Sequence, residues 1–145
     1  MRATYRVLAG LVSIGVLVQA MAIAVAWFTA LKDMDDGLVI DKNYDGNWGH
    51  SLHGIVGSMI IPLLALLLLI VSFFAHIQGG VKWALYVVGL VVLQIAFAFA
   101  AFAAPVIGAL HGANALALMA VAGIAARRAA GAPAAAAAES TEATA

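Results

Sequence analysis

The chain has 145 residues, 66% of them apolar and only 10% charged, with 7 basic and 7 acidic side chains and no net charge. A soluble domain averages about 45–50% apolar and about 25% charged residues, so most of this surface needs lipid rather than water as its solvent. That excludes a soluble enzyme, a secreted disulfide scaffold and a nucleic-acid binder, the last because there is no basic field for a polyanion. Cysteine is absent, which removes disulfides, thiolate metal sites, cysteine nucleophiles and covalent c-type haem attachment.

Four apolar runs are long enough to cross a bilayer, which takes roughly 20 residues. They are residues 7–31, about 52–74, 83–104 and 105–126, and none contains Asp, Glu, Lys or Arg. Backbone groups in lipid must bond within their own segment, and the runs lack the period-two alternation of barrel strands, so they are predicted helices. Pro62 lies inside the second run and is expected to kink it, whereas Pro105 suits the first turn of the fourth.

The basic residues set the expected orientation. Arg2 and Arg6 precede the first run, Lys82 lies between the second and third, and Arg127 and Arg128 follow the fourth. In an all-α, up-down-up-down transmembrane four-helix bundle all five fall on one side, which the positive-inside rule makes cytoplasmic. Both termini are therefore expected in the cytoplasm, and the loop from Lys32 to His50 outside. The first run is longer than the apolar region of a signal peptide, so it is read as a retained helix. Residues 1–128 form the expected membrane domain. Residues 129–145 are Ala-rich and are read as a mobile cytoplasmic tail.

Intramembrane polar groups are few, and each is a candidate for function. His53 is about one turn into the second helix and His111 is six residues past Pro105. At 1.5 Å per residue they lie roughly 6 and 9 Å below the outer helix ends, in one leaflet. If the two helices face each other, the imidazoles point at a common centre and suit the iron of a planar haem held between them. Gly57 follows His53 by one turn, and Gly108 and Gly112 flank His111, so a flat macrocycle can approach the backbone. The same glycines also fit a helix-packing seam. His50 competes with His53 for the ligand position; greater depth favours His53, and His50 is left as a neighbour that ligates or bonds a propionate. Asn114 is near the His111 face and is read as a contact to the cofactor edge or to a neighbouring helix. His76, at the cytoplasmic end, is read as interfacial. Gln19 and Gln94 are further polar residues within the runs, and Met21, Met59 and Met119 are read as packing residues.

The stretch His53-Gly54-Ile55-Val56-Gly57, then Gln94, Pro105 and Leu110-His111-Gly112-Ala113-Asn114-Ala115, resembles a group of small four-span bacterial membrane proteins. More distantly it resembles one half of heme A synthase, over roughly residues 49–123. The resemblance implies a haem flanked by histidines of the second and fourth helices, with His53 (or His50) and His111 at the ligand positions. Those enzymes carry a glutamate three residues before the ligand of the second helix. Here the corresponding residue is Asn47 or His50, so the resemblance implies haem binding more than haem modification.

The loop holds Asp33, Asp35, Asp36, Asp41 and Asp45 against Lys32 and Lys42. Asp41, Asn43 and Asp45, followed by Gly46, match the first half of a calcium loop, but the twelfth position is Leu52 instead of Glu. A solvated acidic loop is the favoured reading over a Ca2+ site.

The expected function is therefore a b-type haem-binding protein of a bacterial-type plasma (inner) membrane, carrying electrons through one bis-histidine haem near the outer face. It is read as a redox protein more than a catalyst. A cofactor-free accessory subunit of a larger membrane complex is one alternative, and a half-size relative of heme A synthase that modifies haem is another. Expected partners are the bilayer, haem, and either a second copy or a larger respiratory complex, with no nucleic acid.

Overall fold

The computed structural model describes residues 1–142, with side chains described over residues 1–131. The chain is all-helical, and no strand occurs among the described residues. Four helices are long and apolar enough to cross a membrane. They are α1 (Arg2–Asp35), α2 (Trp48–Ser72), α3 (Gly80–Ala103) and α4 (Gly108–Glu142). A single 3₁₀ turn, Pro105–Ile107, leads into α4, where the fixed proline φ and missing N–H are tolerated. Each expected run falls on one of these helices, except that residues 73–74 and 104 lie past the ends of α2 and α3 and residues 105–107 form the 3₁₀ turn before α4. The helix of α4 continues past residue 126, through the start of the expected tail to Glu142; residues 143–145 lie outside the described residues.

Pro62 does not end α2. The residues before it, Val56–Ile60, widen into a π-helical turn, and α-helix resumes at Ile61 with Pro62 in its first turn. A proline removes one backbone donor and crowds the carbonyl four residues back, and the wider turn accommodates both.

The start of α2 is set by Asn47. Its side-chain oxygen accepts from the Gly49 N–H at 3.0 Å, and its own N–H donates to His50 Nδ1 at 3.2 Å, which forms a capping box. Its amide also donates to the Ala26 carbonyl at 2.8 Å, tying the cap to α1. Gly46 precedes it with φ +80°, a left-handed conformation that a side chain would strain.

Consecutive helices pack side by side, and α4 closes onto α1. The closed core belongs to one half of the bundle. It is built from Tyr5, Ala9, Val12 and Val16 of α1, Ile61, Ala65 and Leu68 of α2, Ala84, Val87 and Val91 of α3, and Leu118, Ala122, Ala125 and Ala129 of α4. Steps of three and four residues place each set on one helical face. Small residues dominate because van der Waals contact, with no hydrophobic drive between helices in lipid, must hold them together. Tyr5 donates its hydroxyl to the Gly80 carbonyl at 2.9 Å, Arg2 donates to the His76 carbonyl at 2.8 Å, and the Arg128 guanidinium sits 4.9 Å from the Trp83 ring centre. These contacts close the arginine end of the bundle.

The opposite, loop end is built differently. Residues 48–60 of α2 pack chiefly against α1, while Ile61–Ser72 packs against both α1 and α3. On α1 the buried face continues through Gln19, Ala22, Ala26 and Ala30. A Cβ on Gly49 would stand 2.8 Å from the Ala22 carbonyl oxygen and 2.9 Å from Ala26 Cα, so these two backbones are in direct contact. Across the bundle nothing comparable exists among the described residues. No residue of α3 beyond Val91 and none of α4 before Asn114 is buried. The loop-side half of α2 is therefore held to α1 and stands apart from the α3–α4 pair.

Candidate functional site

His53 and His111 meet in this less closely packed half. Their ring centroids are 6.3 Å apart, with the planes inclined at 55°. Both are half-buried. His53 reaches the position because the α2 segment carrying it lies along α1; His111 reaches it because α4 lies along α3.

The same kind of bond holds each ring. Nδ1 of His53 donates to the backbone carbonyl of Gln19 on α1, at 3.1 Å. Nδ1 of His111 donates to the backbone carbonyl of Gln94 on α3, at 3.0 Å. A carbonyl only accepts, so Nδ1 carries a proton in each ring, and in the neutral form Nε2 keeps its lone pair. Metal-ligating histidines are generally oriented this way, by a hydrogen bond from the nitrogen that does not bind the metal. The spacing suits one metal ion as well. A metal–imidazole bond is about 2.0 Å and the ring nitrogen lies about 1 Å from the centroid, so two coaxial imidazoles on one ion have centroids about 6 Å apart.

His50 has the opposite tautomer. Its Nδ1 accepts from the Asn47 N–H, so in the neutral ring Nε2 carries the proton and has no lone pair for a metal. Trp27 and Tyr44 meet its ring edge-on, at 5.2 and 6.0 Å between centroids. His50 is thus part of the helix cap. His76 is at the arginine end, in a left-handed turn with φ +51°, and its Nδ1 donates to the Phe74 carbonyl at 3.0 Å.

Asn114 uses its amide hydrogens on α3, donating to Leu90 O at 2.9 Å and to Gln94 Oε1 at 2.6 Å. The bond to a neighbouring helix expected of it is formed. The glycines divide. A Cβ on Gly108 would have only Ala101 Cβ near it, at 4.0 Å, and one on Gly112 would stand in open space. Gly57 is closely covered, because a Cβ there would stand 2.9 Å from Gln19 Oε1. The Gln19 amide nitrogen is buried and has no hydrogen-bond partner among the described residues.

The loop residues form a local turn. Asp41 Oδ1 accepts from the Asn43 N–H at 2.8 Å and Oδ2 from the Asn43 amide at 3.2 Å, the geometry of an Asx turn. Asp45 is not bonded into it. Among the described residues no group of three or more His, Asp or Glu comes together as a metal site.

Sequence reasoning missed the two backbone carbonyls of Gln19 and Gln94. Every residue has a carbonyl, so no residue type signals which one will meet a histidine. Comparison with family models, with curated proteins and with solved structures gives no match.

Proposed function

We propose that this chain is an integral membrane haem protein that transfers electrons, with one b-type haem held between α2 and α4 and His53 and His111 as its axial ligands. The observation that carries the reading is the matched pair of imidazoles. They lie 6.3 Å apart, each with Nδ1 donated to a carbonyl and Nε2 left as a base. A haem when bound supplies reversible one-electron chemistry at iron.

The chain's own residues supply the rest. His53 and His111 are the residues that would hold the haem iron, and two such ligands would favour electron transfer over reaction with a substrate. The Gln19 and Gln94 carbonyls hold the ring planes and raise ligand basicity. Gly108 and Gly112 offer room for a flat group beside His111. A haem-modifying role is less well supported, since Asn47 and His50 stand where heme A synthase has its glutamate and both are engaged in the helix cap.

The orientation in this reading follows from charge. With Arg2, Arg6, Lys82, Arg127 and Arg128 on the cytoplasmic side of a bacterial-type plasma membrane, the bundle runs up-down-up-down with both termini inside. The histidine pair then lies in the outer leaflet, below the acidic loop.

The test is the reduced-minus-oxidised spectrum of the full-length protein purified after expression with ample haem. Sharp low-spin bands at a stoichiometry near one haem per chain support the proposal. Colourless protein under those conditions overturns it and leaves the cofactor-free accessory subunit.

A further inference from the structure

At the arginine end, α1 and α4 border a groove lined by Arg2, Ala3, Arg6, Val7, Ala129 and Ala130. We infer that this groove binds the phosphodiester headgroup of an anionic phospholipid, independently of any cofactor at the histidine pair.

Three observations carry the inference. The first is unbalanced charge. Arg2 and Arg6 are four residues apart and so share one face of α1. Arg2 uses one nitrogen on the His76 carbonyl, which anchors it and leaves most of its five N–H donors free. The acids of the chain lie elsewhere. Among the described side chains all the acids, Asp33, Asp35, Asp36, Asp41 and Asp45, are at the opposite, loop end. The other cations of this end are differently placed: Arg128 stacks on Trp83, and Lys82 Nζ lies 5.7 Å from the Tyr86 ring centre.

The second is the floor of the groove. Ala3, Ala129 and Ala130 have no side chain beyond Cβ, so a bulky headgroup can approach both helices. The third is the apolar track leading away from it. Val7, Leu11 and Ile14 are exposed and spaced at i, i+4 and i+7, a stripe running from Arg6 toward the membrane interior. A headgroup on two guanidinium forks with an acyl chain along that stripe matches a phospholipid better than a free anion. Arginine presents planar paired donors that fit phosphate oxygens.

The test is lipid retention by the full-length protein in detergent, read by native mass spectrometry and by Tm. Phosphatidylglycerol should be retained and should raise Tm, while phosphatidylcholine and inorganic phosphate at equal concentration should do neither. Together Arg2→Gln and Arg6→Gln should weaken retention about thirtyfold, since each cation at an anionic lipid surface is worth about fivefold. Ala130→Leu fills the floor without changing charge or a buried position, and should also weaken retention; it carries the test if the double variant fails to fold. Lys82→Gln should change nothing. Equal retention of phosphatidylcholine, an equal shift with phosphate alone, or full retention by Ala130→Leu would each overturn the inference.

Discussion

Gln19 and Gln94 stand in the same relation to the two histidines: each gives its backbone carbonyl to an imidazole Nδ1 on the next helix. The relation joins α1 to α2 and α3 to α4, so each half of the chain presents one oriented imidazole. Because the bond is to the backbone, the side chain can be tested apart from it. Gln94→Leu should keep the His111 bond but release Asn114 from one of its two acceptors. It should lower stability by about 1 kcal/mol and leave haem content unchanged in the proposed holoprotein, as checked by Tm and by spectrum.

The ligand assignment predicts a definite order among the histidines. His111→Ala and His53→Ala should each lose haem or turn the iron high-spin. His50→Ala should retain it, because Nε2 of that ring carries a proton while Nδ1 accepts the Asn47 N–H. His76→Ala should be silent in the spectrum. Loss of haem from His50→Ala with retention in His53→Ala would reverse the assignment on α2.

Asn47 supports both the start of α2 and its attachment to α1. Asn47→Ala should destabilise the protein by about 1–2 kcal/mol, the upper range for a lost N-cap. His50→Ala removes the acceptor for the Asn47 N–H together with the edge-on contacts of Trp27 and Tyr44, and should cost a comparable amount. Thermal unfolding in one detergent compares the two. Equal stability of wild type and Asn47→Ala would mean that the contact with α1 at Gly49 alone fixes this helix.

Two glycines of α2 should respond differently to alanine. At Gly49 the added methyl meets the Ala22 carbonyl and Ala26 Cα at 2.8–2.9 Å, and backbone cannot yield without parting the helices. A loss of about 1–3 kcal/mol is expected, as for overpacking in a closed core. At Gly57 the obstructing atom is the far end of the Gln19 side chain. That side chain can move, and alanine gains up to about 1 kcal/mol of helix propensity, so the change should be near neutral. Tm values of the two variants decide.

The proposed orientation is open to labelling. Cysteines introduced one at a time at Asp41 and Gly79 should react with a membrane-impermeant reagent from the outside at Asp41 only. Both positions lie between helices, and the chain has no native cysteine to interfere. Labelling at Gly79 from outside would invert the bundle and put the histidine pair in the inner leaflet.

Hydrophobicity was enough to place the four helices. A bilayer demands long apolar helical segments, and all four runs are written directly in stretches such as residues 7–31. The proximity of His53 and His111 was legible as matched depth, because rise along a helix is constant. What depth leaves open is rotation and pairing. Only packing decided that the loop-side part of α2 would lie on α1 through Gly49, that the closed core would stop near Val91 and Leu118, and that the two rings would meet. What distinguishes His50 from His53 in the structure was also tertiary. Both are the same residue type one turn apart, and their difference is which nitrogen meets a donor and which meets a carbonyl, a matter of the partner's backbone that no side chain in the sequence announces.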